Sequence, residues 1–403
     1  MKKGIYLMFF NLLLLYPGIA QYQIKNGNFQ DWSNIGTNSE HPLNWNSIKN
    51  GSTGLWASSA QQVLYRSTDV PHNGITYSIK LQSKSILGII ANGAVSTGAF
   101  NIGSTNATSS NNYAYTNTTN SDYSNNLITK PDSISFWVKY IPSSNSGSNN
   151  AKMGATIHSN AEYRDPESSN NSAQYVVGKA TLNIPKIGNG EWHQYTIPFQ
   201  YTGPSQTPAF ILVNFSTNIT PGGGSAGDQL FIADIELIYN RNLNNILIDG
   251  TPLTNFEPSN TEYFIETDHI PVVTASAYSP FITSLNTTQA TQDNLISTIS
   301  VLHGGTAKTY MIHFTLTNKI ESILNPEIRI FPNPSNGKIS ICNIIDNGLS
   351  NIDVIDLNGK SIMSIKKIST SKIDLDLGRL CSGIYNIIYS NNTFKKTYKI
   401  VIH

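Results

Sequence analysis

The chain has 403 residues, of which 39% are hydrophobic and only 13% charged, with 26 basic against 25 acidic side chains. At about 150 residues per domain this length holds two to four domains with ordinary packed cores. The near-neutral balance leaves no basic excess for a nucleic-acid partner and no charged disordered tail. The surface is therefore covered by neutral polar groups, and Asn, Ser and Thr fill the sequence. Asn and Ser bond their own backbone in turns and compete with helices, so the composition predicts turn-rich β-structure.

Residues 1–20 read as a secretory signal peptide. Lys2 and Lys3 precede an apolar run from Ile5 to Tyr16, broken only by Asn11. Pro17 ends the run, and Gly18-Ile19-Ala20 offers small residues for cleavage after Ala20. The run is too short to span a bilayer, and no later segment is long and apolar enough, so no transmembrane anchor is expected. Export would carry the mature chain through the periplasm to the outer cell surface or the medium.

Residues 21–239 show short alternating runs and little helical periodicity. Ser133 to Tyr140 places Ile134, Phe136, Val138 and Tyr140 on one face of a strand. Tyr195 to Phe199, Ala209 to Phe215 and Leu230 to Tyr239 read likewise. Gly103 to Asn126, rich in Ser, Thr, Asn and Tyr, reads as a long loop, a kind of segment that is usually functional or disordered. The expected architecture is a two-sheet sandwich.

This segment resembles a known family, the PCMD carbohydrate-metabolism domain of Bacteroidota surface proteins. The likeness runs through Asn26-Gly27-Asn28-Phe29-Gln30-Asp31-Trp32, Pro42-Leu43-Asn44-Trp45 and Ser78-Ile79-Lys80-Leu81. It continues in Gly93 to Gly98, Ser133 to Tyr140, Glu191-Trp192, Pro208 to Ile211 and Gly224 to Tyr239. The resemblance implies a jelly-roll sandwich and a carbohydrate ligand, and it implies no reaction. Sugar rings stack on exposed aromatics, which singles out Trp56 and, in the polar loop, Tyr113, Tyr115 and Tyr123 as candidate glycan contacts. Trp32, Trp45, Trp137 and Trp192 fall within the family pattern and read as packing residues. Similar sandwiches hold structural calcium between the N-terminal segment and the last strand. Here Asp234, Asn28 and Gln30 would supply its oxygens, in a weak site, because Gln30 and Ala233 stand where carboxylates often occur. No other cofactor is implied.

Residues 240–318 carry further short strands, from Ile246 to Asp249, Tyr263 to Ile265, Val272 to Ala275 and Ser297 to Val301, with a Gly304-Gly305 turn before Tyr310. They resemble immunoglobulin-like, cadherin-like modules in shape, without the cysteine pair of antibody domains. Such a module is expected to act as a spacer.

Residues 326–403 hold the clearest pattern. Phe331-Pro332-Asn333-Pro334-Ser335-Asn336-Gly337 opens a strand, Asp353 to Lys360 reads as strand then turn, and Gly383 to Ile388 and Lys396 to Ile402 are further strands. The segment resembles the C-terminal sorting domain of the type IX secretion system. That resemblance implies a small immunoglobulin-like sandwich and the secretion machinery as partner, with Pro332, Asn333, Pro334, Gly337, Gly383, Tyr385 and Lys399 as sorting residues. The two cysteines, Cys342 and Cys381, both lie here, and neither spacing nor parity demands that they pair. The whole chain is thus expected to be all-β, a jelly-roll sandwich followed by two small immunoglobulin-like β-sandwiches.

Catalytic patterns are scarce. Paired zinc histidines and a Walker loop are absent from the sequence, and Gly222-Gly223-Gly224-Ser225 lacks the lysine of a phosphate cradle and reads as a flexible turn. Glu162, Asp165 and Glu167, around Arg164 and near His158, could pair for glycoside hydrolysis but read better as a solvated loop. Three functions remain open: non-catalytic glycan binding, a carbohydrate-active enzyme, and a structural or adhesive surface component without a small ligand.

Overall fold

A computed structural model describes residues 22–86, 88–143, 150–317, 328–344, 350–391 and 395–403. The signal peptide expected over residues 1–20 lies outside them. The described residues form strands joined by turns and short 3-10 segments, with no α-helix among them. Accordingly no described helix is long and apolar enough to cross a membrane. The chain divides into two compact units, one ending at Thr317 and one beginning at Asn318.

The first unit opens with a jelly-roll sandwich. Its five-stranded sheet orders His193–Pro198, Ser133–Ile141, Gln229–Ile238, Ser78–Gln82 and Leu64–Ser67. Its four-stranded sheet orders Val176–Ile184, Ala151–His158, Phe210–Ser216 and Ala94–Ser96. Period-two alternation buries Ile134, Phe136, Val138 and Tyr140 from the first sheet against Met153, Ala155, Ile157, Val213 and Phe215 from the second. Burial of these side chains is the main favourable term for the module. The strand Ala151–His158 had no expectation attached to it. Ala151, Gly154 and Ala155 dilute its apolar alternation, and only the register against both neighbours makes it a central strand.

The tryptophans find the partners that indole N–H groups require when buried. Trp45, fully buried, donates to the Lys25 carbonyl at 3.1 Å, and Trp32 donates to that of Phe29 at 2.6 Å. Trp192 donates to Asp69 Oδ1 at 2.8 Å, and Lys139 pairs with Oδ2 of the same carboxylate at 2.6 Å.

The second sandwich of this unit packs Thr251–Pro252, Leu243–Ile248 and Val273–Ala277 against Glu262–Thr267, Thr306–Leu316, Ile296–His303 and Ser284–Thr288. Leu243, Ile246, Val273, Ile299, Val301, Tyr310 and Ile312 form its core. The two sandwiches share a polar and aromatic junction. Asp132 accepts from the Asn240 N–H at 2.6 Å and from the wholly buried His303 Nε2 at 3.1 Å. The His303 ring stands edge-on to Tyr239 at 5.0 Å.

The second unit is a smaller sandwich. Arg329–Phe331, Lys338–Cys342 and Lys372–Asp376 face Ser361–Ile368, Ser350–Ile355, Gly383–Ser390 and Lys395–Ile402. Ile339, Ile341, Ile352, Val354, Ile387, Tyr389 and Ile400 make its core. Cys342 and Cys381 are free thiols, and Cys342 lies on the face opposite the buried Ile339 and Ile341.

Candidate functional site

Alternation that buries one face of the four-stranded sheet exposes the other. In Ala151–His158 and Phe210–Ser216 the outward positions Lys152, Gly154, Asn214 and Ser216 floor a cavity of about 620 Å³, while Thr156, His158, Phe210 and Leu212 on the same face are buried. A Cβ placed on Gly154 would meet nothing within 4 Å, so the missing side chain is open space in that floor. Volumes of this size are typical of small-ligand sites.

Two elements rise over the floor. One is a small sheet ordering Arg164–Asp165, Asn112–Tyr115, Ala99–Ile102 and Ser52–Thr53. The other is the hairpin Lys84–Ile86 with Ile89–Ala91. Together they bring Ile86, Ile89, Ile90 and Ile102 to the cavity lining, which Ile219 joins from beyond the end of the floor strand Phe210–Ser216. The rim loop after Ile102 is held by one amide: Asn112 Oδ1 accepts from the N–H groups of Gly103 and Ser104, both at 3.0 Å, and Nδ2 donates to the Ser104 and Asn106 carbonyls at 3.0 and 2.8 Å. The span from Gly103 to Asn126, expected as loop throughout, therefore contains the strand Asn112–Tyr115. Backbone pairing with Ala99–Ile102 makes that strand despite its polar side chains.

Trp56 and Tyr113, 57 residues apart in the chain by the difference of their numbers, line the same cavity. Trp56 is 38% exposed, and its backbone N–H is tied to the Ile102 carbonyl at 3.0 Å. One face of Tyr113 lies under the Arg164 guanidinium, 4.2 Å from the ring centroid. Tyr115 packs edge-on to Tyr113 at 5.7 Å and is not among the lining residues. Tyr123 ends the turn Ser121–Tyr123 and is not among them either. Two of the four aromatics thus meet at one place.

Sequence reading did not single out the lining isoleucines or the floor. The run Ile86-Leu87-Gly88-Ile89-Ile90 is an apolar stretch around a glycine, and that is the signal that could have marked it. Lys152 is the cation of the lining, with no carboxylate in ion-pair range among the described residues.

The acidic stretch beside the cavity is already engaged. Glu162 pairs with Arg164 at 2.7 Å, and Glu167 accepts from Tyr163 at 2.9 Å and from Lys179 at 2.5 Å. Asp165, on the lining, accepts from Asn214 Nδ2 at 2.8 Å. His158 is buried and stacked between Tyr163 and Phe210, with centroids at 5.2 and 5.7 Å. Burial pushes its imidazole down to about 4, although its bond to the Ser159 carbonyl works the other way. Its Nδ1 lies 2.9 Å from that carbonyl and its Nε2 2.8 Å from Thr116 Oγ1, which fits a neutral ring donating at Nδ1.

At the expected calcium position, Gln30 Nε2 donates to the Asn28 carbonyl at 2.5 Å, and Gln30 Oε1 accepts from the Thr76 N–H at 3.0 Å. Asp234 sits in a left-handed conformation, φ 51°, where the Gln229–Ile238 strand bulges against Ser133–Ile141. Its Oδ2 lies 3.4 Å from His72 Nε2. Gln30 is thus occupied by protein partners. No group of three or more His, Cys, Asp or Glu side chains suited to a metal occurs among the described residues.

Of the residues expected to serve sorting, Asn333, Gly383 and Tyr385 are bonded or paired to the last strand, which holds Lys399. Asn333 Nδ2 donates to the Lys399 carbonyl at 2.8 Å, and Asn333 Oδ1 accepts from the Val401 N–H at 2.9 Å, so one side chain imitates a strand neighbour. Pro332 and Pro334 flank it. Gly337 has φ +100°, and a Cβ there would lie 2.4 Å from Gly378 Cα. Gly383 and Tyr385 pair with Ile402 and Ile400, and the Tyr385 hydroxyl donates to the Cys381 carbonyl at 2.9 Å.

Residues 329–403 match the family described as the secretion system C-terminal sorting domain. This is the type IX sorting domain. It marks the chain for export, to the cell surface or the medium. No curated protein matches the chain. Among solved structures it is similar to Caldicellulosiruptor saccharolyticus CBM27-1 in complex with mannohexaose, at 9% identity over 43% of this chain and 81% of that one, TM-score 0.23. It is also similar to the C-terminal family 22 carbohydrate-binding module of Clostridium thermocellum Xyn10B, at 11% identity over 53% and 96%, TM-score 0.23. A third is CBM51-2 with INT domains from Clostridium perfringens ZmpB, at 10% identity over 94% and 83%, TM-score 0.20. At TM-scores and identities this low, no property of those proteins passes to this chain by likeness.

Proposed function

We propose that this is a surface-delivered protein that binds carbohydrate without catalysis, in the cavity over the four-stranded sheet. The observation that carries the reading is the meeting of Trp56 and Tyr113 on one concave, ligand-sized site. Aromatic faces stack on sugar rings, and a concave site of this size can enclose several of them. Non-catalytic binding is favoured because Glu162, Asp165 and Glu167 are each held by a protein partner and of the three only Asp165 lies on the lining, so no pair of carboxylates spans the cavity among the described residues. We further read the first sandwich as a PCMD-type module of a Bacteroidota surface protein, led out by the N-terminal signal peptide and spaced from its sorting domain by the second sandwich. Asn28, Gln30 and Asp234 remain a proposed calcium position, tested by calcium titration of the melting temperature.

A glycan array probed with the full-length protein tests the function. Selective binding that Trp56→Ala weakens supports it. An array without a hit, or release of reducing ends that disappears on a single Asp or Glu substitution, sinks it.

A further inference from the structure

The cavity lining carries aliphatic side chains as well as aromatic ones. A plain polysaccharide offers hydroxyls and the small apolar faces of its rings, and Trp56 and Tyr113 suffice as platforms for those. Ile86, Ile89, Ile90, Ile102 and Ile219 have no counterpart in such a ligand. They are also open to solvent in part: Ile89 is 39% exposed and Ile219 38%. A ligand made only of sugar rings leaves that surface wet, whereas an aliphatic substituent would cover it, and covering it is favourable.

A second feature points the same way. Lys152 lies on the cavity lining with no carboxylate in ion-pair range among the described residues, and Asp165, the lining acid, already accepts from Asn214. An ammonium on a lining that also carries aliphatic side chains suits a group that joins a carbonyl acceptor to a hydrocarbon end. An acyl ester or acyl amide is that group.

We infer that the cavity takes an acylated glycan, with the sugar on Trp56 and Tyr113, the acyl carbon chain on the lining isoleucines and the acyl carbonyl toward Lys152. This rests on the carbohydrate reading and names the class of sugar.

The test is calorimetric titration of the full-length protein with O-acetylated xylo- and manno-oligosaccharides and with the same oligosaccharides after de-acetylation. The acetylated forms should bind at least about fivefold tighter, the effect of burying one or two extra carbons. Ile89→Asn and Ile219→Asn should erase that preference, bringing the acetylated and bare chains to equal affinity. Both positions are partly exposed, so the fold should survive, and the melting temperature checks it. Lys152→Met should weaken the acetylated ligands more than the bare chains. Equal affinity for the two forms, or tighter binding of the bare chains, overturns the acyl assignment while carbohydrate binding stands. If no oligosaccharide binds and the glycan array is also blank, both readings fall together.

Discussion

At the scale of single residues, the two cavity aromatics separate from the two that lie elsewhere. Trp56→Ala and Tyr113→Ala should each weaken glycan binding by about 1 kcal/mol, roughly fivefold, as expected for loss of one stacking face. Trp56→Ala should leave the melting temperature nearly unchanged, since that side chain is 38% exposed. Tyr123→Ala should not alter affinity, because Tyr123 stands outside the lining. Equal losses at Trp56 and Tyr123 in a titration would relocate the site.

His158 gives the residue scale a pH dependence. Its folded value of about 4 lies below the ordinary 6.5, mainly through burial. The sign follows from linkage: below about 6.5 the unfolded chain takes up the proton first, so stability present at neutral pH is lost as pH falls toward 4. The loss approaches about 3 kcal/mol, at about 1.4 kcal/mol per pH unit. Melting temperature against pH should therefore fall more steeply over this window in the native protein than in His158→Gln. Parallel curves would show that the ring is not the group responsible.

At the scale of elements, the stretch Phe331 to Gly337 acts as a clip on the last strand. Asn333→Ala removes two links, to Lys399 and Val401, at about 1 kcal/mol each, and should lower the unfolding transition of the C-terminal unit in a calorimetric scan. Gly337→Ala should cost more, because positive φ and the approach of Gly378 both oppose a Cβ. Transitions unchanged in both variants would reduce the clip to decoration. The junction at Asp132 is a second element-scale device. Burial alone would raise this carboxyl, yet its bonds from His303, Ser279 and the Asn240 N–H hold it below the usual range. Asp132→Ala should destabilise the first unit by about 1 to 3 kcal/mol, since it leaves the fully buried His303 without its carboxylate. Chemical denaturation measures that difference, and a loss near zero would make the junction incidental.

At the scale of the whole molecule, export and binding should be separable. Deleting residues 326–403 removes the matched sorting domain and the core of the second unit. The first unit keeps its own two cores, so it should remain folded and bind glycan while failing to reach the surface. Cell fractionation in a host with type IX secretion checks this, and normal surface delivery of the truncated chain would contradict it.

The sequence by itself determined the all-β class, the face of Ser133–Ile141 that enters the core and the sorting domain at the C-terminus. Each depends on local chemistry: period-two alternation, turn residues and an ordered run of Pro, Asn and Gly. It also picked out Trp56 and Tyr113, but among four aromatics of equal standing. The tertiary structure alone decided which of them share a cavity, because Trp56 and Tyr113 are joined through strands paired across the chain rather than along it. It alone turned the polar Asn112–Tyr115 and the dilute Ala151–His158 into strands, since those follow from neighbours on either side and not from their own side chains. Likewise the isoleucines line one cavity only because a hairpin, an inner strand of the small sheet and a loop at Ile219 come together there, and no short window of sequence contains all three.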